Sequence, residues 1–256
     1  MAKLRIISVI TLLVISLATV SGAMVEGNTT LGGVNGYVTL PKASVVDSDK
    51  TPSITTGYTA IFSLADGFAH IPFVQMGFAK NFEASVAFDI DSEDFDLMAS
   101  AKWRFVNKDN VDVTFGFTGE GLTLQNNPDF AVLTYFATTF NSTFVNLPSK
   151  TTLLLGYTFT RNLNSNIDFG VGFEFPLWRK VFKEKVNLLL DFGNVSYSAN
   201  PSGGEAKDRG LFNIGIRLLP LEFMRNTYFS LDLGLIDIFD HVGRAFSAGA
   251  ALTFRP

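Results

Sequence analysis

From residue 53 onward the chain alternates between apolar and polar positions with a period of two. In Val111-Asp112-Val113-Thr114-Phe115-Gly116-Phe117-Thr118 the odd positions are apolar and the even ones polar or glycine. The same beat runs through 167–175. It returns at 95–105, where Phe95, Leu97, Ala99, Ala101, Trp103 and Phe105 oppose Asp96, Met98, Ser100, Lys102 and Arg104. Successive side chains of an extended strand point to opposite faces, so each such segment carries one apolar and one polar face. Turn-forming clusters separate the segments, among them Lys80-Asn81, Asn107 to Asn110, Leu147-Pro148-Ser149, Arg161 to Asn166 and Ser198 to Arg209. The pattern predicts twelve strands: 53–62, 70–79, 82–90, 95–105, 111–119, 130–140, 151–160, 167–175, 186–197, 210–219, 227–237 and 244–254.

Each of these is near the length a tilted strand needs to cross a bilayer. The expected fold is therefore all-β: a closed antiparallel transmembrane β-barrel of twelve strands, within a range of ten to fourteen, the upper count being reached if the strand-like 31–46 and one further strand join the wall. An even count puts both termini in the periplasm and the polar stretches 120–129 and 198–209 on the extracellular side, where long loops belong. A soluble barrel would alternate equally well, but it would be apolar inside and clothed in Lys, Glu and Arg outside. Here the polar face is mostly Gly, Ser, Thr and Asn with scattered acids. The apolar face is dense in large groups such as Phe212, Ile214, Ile216 and Leu218, or Phe229, Leu231, Leu233 and Leu235. Aromatic residues gather near strand ends, for example Tyr58, Phe62, Trp103, Phe175, Trp178 and Phe254, as interfacial girdles do.

Composition agrees with that picture. Hydrophobic residues make up 47% of the 256 and charged ones 17%, and mean hydropathy is +0.25. Yet beyond the first two dozen residues no apolar run approaches the ~18 of a spanning helix. Phe supplies 26 residues and Gly 22, and Cys is absent, which excludes disulfides, thiolate metal sites and a lipid-modified cysteine. A net charge of −4 argues against a nucleic-acid partner. The start reads as a signal peptide over 1–23. Lys3 and Arg5 are its basic region, Ile6 to Val20 its apolar region, and Ser21-Gly22-Ala23 its cleavage site. Residues 24–52 then form an N-terminal segment that is periplasmic, a plug or an extra strand, and 53–256 form the barrel.

Two short stretches resemble known families. Ser247-Ala248-Gly249-Ala250-Ala251-Leu252-Thr253-Phe254 resembles the C-terminal assembly signal of bacterial outer-membrane proteins, with Gly249, Leu252 and Phe254 at its marked positions; Arg255 and Pro256 depart from it by following the aromatic. The resemblance implies recognition by the barrel-assembly machinery. Gly36-Tyr37-Val38-Thr39-Leu40-Pro41-Lys42-Ala43 is similar to a stretch near the start of some outer-membrane barrels linked to exopolysaccharide export.

With the apolar face outside, the inward charges are Glu83, Asp89, Asp96, Asp112, Asp168, Glu174, Asp191 and Asp232 against Lys102, Arg104 and Arg217. Eight acids facing three bases would raise the local cation concentration in an open lumen, whereas paired with one another they would stiffen a plugged one. Glycines also recur on this face (Gly170, Gly172, Gly215 and Gly234 among them), which weakens strands unless something needs the space. The expected function is a passive pore for small hydrophilic solutes or ions with mild cation preference. The alternatives are a non-conducting structural, adhesive or assembly-related barrel and, third, an outer-membrane hydrolase. The two histidines, His70 and His241, sit in no recognisable hydrolase signature, and no Walker, HExxH or EF-hand pattern occurs. No catalytic residue, metal site or cofactor is expected, and the oligomeric state stays open. The basic, aromatic stretch 176–185 reads as an interfacial anchor or a partner site.

Overall fold

The computed structural model describes residues 29–46, 52–63, 67–108, 110–161, 166–206, 210–240 and 243–255. The leader expected over 1–23 and His241 lie outside them. Twelve strands follow one another in chain order: β1 (Ser53–Ser63), β2 (Gly67–Phe78), β3 (Phe82–Ile90), β4 (Phe95–Lys108), β5 (Val111–Leu122), β6 (Asp129–Phe144), β7 (Leu147–Thr160), β8 (Asp168–Pro176), β9 (Val186–Gly193), β10 (Leu211–Met224), β11 (Thr227–Ile236) and β12 (Ala245–Phe254). Each pairs antiparallel with its sequence neighbours, and β1 pairs with β12 from Ile54↔Phe254 to Ser63↔Ala245, so the sheet closes on itself. Closure leaves no unpaired sheet edge.

The alternation read from the sequence becomes an inside and an outside. Along β3 and β5 every second residue is buried, and the intervening Phe82, Val86, Phe88, Phe115 and Phe117 are exposed on the outer wall. A water-facing wall of this composition would be unfavourable, while lipid asks nothing else of it. The two ends differ. At one end the strands join through turns as tight as Ala79-Lys80 and Val145-Asn146, each with both residues at positive φ. That conformation matches the twist of the paired strands. At the other end lie the longer connections, including 123–128 and 194–210.

Three local expectations are corrected. The turn predicted at Leu147-Pro148-Ser149 is part of β7, with Pro148 opposite Thr143, because Val145-Asn146 already closes the hairpin. The strand expected over 186–197 ends at Gly193; beyond it the chain turns inward and buries Val195 and Tyr197. Segment 31–46 adds no strand to the wall. Its backbone pairs with itself, through the bridges Thr29↔Asn35 and Gly36↔Pro41. Between β8 and β9 the basic stretch forms a single helical turn, α1 (Arg179–Phe182), preceded by Trp178, which is 66% exposed and whose ring lies tilted against that of Phe182.

Candidate functional site

The site is the barrel interior, and residues 29–46 occupy it. All of them are buried, and Leu31, Tyr37, Val38 and Leu40 join Ile61, Ile71 and Phe73 of the wall in one apolar cluster. Space for them comes from glycine. A Cβ on Gly172 would sit 2.4 Å from the Tyr37 ring, and one on Gly170 2.2 Å from Leu40 Cδ1. A Cβ at Gly172 would have to displace the Tyr37 ring, and one at Gly170 the end of Leu40, so the inward glycines of β8 make room for the close contact.

The polar attachments run from wall side chains to the segment's backbone. Buried amides and carbonyls must find partners, and this segment finds them in ionised groups. The Asp191 carboxylate accepts from the consecutive N–H groups of Val38, Thr39 and Leu40 at 2.8, 3.0 and 3.3 Å. Successive backbone N–H groups converging on one anion make a nest. Glu83 accepts from the N–H groups of Asn35 and Val46 at 2.8 and 3.0 Å. Lys102 Nζ donates to the carbonyls of Asn35, Lys42 and Ser44 at 3.1, 3.2 and 2.8 Å and lies 3.3 Å from Glu83. The Arg217 guanidinium donates to the carbonyls of Thr29, Gly36 and Tyr37 and pairs with Asp232 at 2.6 Å.

The segment answers with Lys42, whose ammonium pairs with Glu174, itself held by Asn187 Nδ2 at 2.5 Å. Burial pulls the Lys42 ammonium below its ordinary value, against the opposing pull of Glu174. Burial, with Glu174 adding to it, holds the Tyr37 hydroxyl well above its ordinary value. That hydroxyl stays neutral and bonds the Thr152 hydroxyl at 2.9 Å.

Toward the long-loop end, residues 195–206 fold into the mouth. Tyr197 donates its hydroxyl to Asp89 at 2.7 Å, and Ser202 gives Asp89 both its N–H and its hydroxyl. Glu120 accepts from Ala199 N–H at 2.7 Å and from the Ser198 hydroxyl, and Asn200 reaches Asp96. Beside this loop a cavity of about 650 Å³ remains.

Of the sequence-derived inward charges, Glu83, Lys102, Glu174, Asp191, Arg217 and Asp232 thus surround the inner segment, and Asp89 and Asp96 hold the inward loop. Asp168 accepts from Thr158 at the cavity wall. Arg104 lies 3.7 Å from Asp112 and donates to the Lys80 carbonyl at the short-turn end. Gly249 lies in β12 opposite Thr59 and Asp232, and Leu252 and Phe254 are exposed on the outer wall. His70 also faces outward, bonded to the Tyr58 hydroxyl and away from the lumen. At the long-loop end Asp91 accepts from the N–H groups of Glu93 and Asp94, and Asp94 from those of Gln125 and Asn126. Among the described residues no cluster of His, Cys, Asp and Glu could hold a metal. Sequence reasoning missed Glu120, which lies one residue past the strand end expected at 119, and Lys42, Thr114, Thr139 and Asn213, whose roles exist only once the inner segment is in place: Thr114 donates to the Ala43 carbonyl, Thr139 accepts from the Ala43 N–H, and Asn213 donates to the Thr39 hydroxyl.

No protein-family model and no curated protein matches the chain. Among solved structures, a KdgM porin matches with TM-score 0.52 at 10% identity, over 79% of this chain and 99% of that one. A KdgM porin in complex with disordered oligogalacturonate matches with TM-score 0.52 at 11% identity, over 80% and 99%. The Acinetobacter baumannii outer membrane protein Omp33 matches with TM-score 0.43 at 8% identity, over 82% and 100%. The fold is that of the bacterial outer-membrane barrels, of twelve antiparallel strands.

Proposed function

We propose that this chain is an outer-membrane pore for small hydrophilic solutes, held closed at rest by residues 29–46. The observation that carries the reading is how the segment is held. Its backbone bonds to itself and to wall side chains, with no strand ladder joining it to the barrel among the described residues. Displacing it breaks side-chain contacts but unzips no sheet. The wall it leaves behind carries the polar and charged groups that held it, such as Glu83, Lys102, Glu174, Asp191 and Arg217, beside an apolar patch of Ile61, Ile71 and Phe73. Emptied of Lys42, that wall carries more carboxylates than cations, which supports a cation preference. The leader over 1–23 delivers the chain to the outer membrane. The pattern at Gly249, Leu252 and Phe254 engages the assembly machinery, and the phenylalanine-rich wall meets lipid.

The test is planar-bilayer recording. The full chain should be mostly silent with brief openings. A variant lacking residues 29–46, verified as a folded barrel, should give long-lived steps whose reversal potentials indicate cation preference at low salt, fading toward molar salt as screening sets in. A folded but silent deletion variant, or steady full-size conductance from the intact chain, would overturn the reading.

In this orientation the long-loop end faces outward. A Cys placed at Gln125 should label from outside intact cells, and one at Asn146, in a short turn, only after the outer membrane is permeabilised. The opposite pattern would invert the topology.

A further inference from the structure

We infer that the cavity at the long-loop end is a binding site for small hydrophilic cations, in the simplest case an amine carried on a hydroxylated frame such as an amino sugar. This deepens the pore reading, on which it rests, by naming the class of solute received at the mouth. The cavity, at about 650 Å³, falls within the ~300–1,000 Å³ of small-molecule sites, but its lining is unlike the apolar lining usual there. Four carboxylates, four carboxamides and five hydroxyls face it, and among the described lining residues there is no Lys, Arg or aromatic ring.

The carboxylates come from different elements. Asp129 opens β6, Asp168 opens β8, and Glu120 stands near the end of β5 beneath the inward loop. Ionised carboxylates accept hydrogen bonds and donate none. Carboxamides and hydroxyls supply both donors and acceptors for a polyhydroxylated ligand. Among the described lining residues no cationic donor offers an acidic sugar a charge-assisted bond, and Asp129 and Asp168 repel it. Ser196 adds an independent sign: its Oγ is buried at the cavity and has no hydrogen-bond partner within the protein. With no aromatic ring among the described lining residues there is no stacking platform there, and recognition falls to charge and hydrogen bonding.

The experiment is calorimetric titration of the refolded full chain with three probes of similar size: a glucosamine trimer, maltotriose and trigalacturonate. The glucosamine trimer should bind, with an advantage of about ten-fold or more over trigalacturonate that shrinks as salt rises. Asp129→Asn with Asp168→Asn should remove most of that advantage, while Glu184→Gln with Glu222→Gln at the short-turn end, an equal change of charge, should leave it intact. No binding of the glucosamine trimer, equal or tighter binding of trigalacturonate, or an unchanged preference in the double variant would each overturn the assignment. Binding is read without any current through the barrel, so a silent bilayer would defeat the pore reading and leave this result standing. A negative titration would leave the conductance result standing in turn.

Discussion

Replacing Lys102 with Met is expected to destabilise the barrel interior by ~3–5 kcal/mol, the usual cost of removing one partner from a buried ion pair. Lys102 and Glu83 are both almost fully excluded from water, at 1% side-chain exposure each. The ammonium also serves three carbonyls of the inner segment. Met matches the length of the lysine stem but supplies none of those donors, so the carboxylate and three carbonyls lose their cation together. The loss should appear in two ways: a lower midpoint of denaturant unfolding in lipid vesicles, and faster proteolysis within 29–46 of the otherwise intact barrel. Adding Glu83→Gln should recover part of the loss, because a neutral acceptor can still serve Asn35 or Val46 without a buried unpaired charge. If the double variant is as unstable as the sum of the singles, the two residues do not act as a pair.

The second large effect concerns the outer wall. Leu233 lies in the central part of β11, paired with Ile216 and Ala248, and half of its surface is exposed. Leu233→Arg should cost ~2–4 kcal/mol, as charge near the midplane of a membrane barrel does. Thr227→Arg, on the same face but at the strand end, should cost only ~0–1 kcal/mol because its guanidinium reaches the interface. Equal costs at the two positions, measured by unfolding in vesicles, would mean that this face does not span a hydrocarbon layer.

The strands were legible because alternation is local. Eight or ten residues carry the whole signal, and the inward parity of Glu83, Asp89, Lys102, Asp191 and Arg217 follows from it without any knowledge of what they touch. The inner segment was not legible in the same way. Residues 29–46 have no sustained period, and their partners lie as far away in sequence as Arg217 does from Thr29. A side chain bonded to a distant carbonyl leaves no trace in the residues around either one.

One indirect signal was present. Strand β2 is apolar on both faces, with Ala69, Ile71 and Phe73 inside and Val74, Met76 and Phe78 outside. A water-filled lumen has no use for Phe73, so an apolar partner inside was implied. The glycines of β8 pointed the same way, since a strand gives up side chains where another part of the chain must come close. The cavity, by contrast, is assembled from the ends of several strands and an inward loop, and such convergence appears only in three dimensions. The end of β9 at Gly193 escaped for the same reason, because Tyr197 is drawn inward by Asp89 from the opposite wall.

The anchoring of the inner segment also bears on how the molecule comes to be. Its partners are spread over β3, β4, β8, β9 and β10, so no hairpin or half-barrel offers it a complete seat. Contacts spanning more than a hundred residues are the costliest to form, because loop-closure entropy must be met before they reward the chain. The seat of residues 29–46 is therefore complete only once β10 is in place. A stretch that precedes the whole wall in sequence thus depends, for the side chains that hold its buried backbone, on strands that follow it.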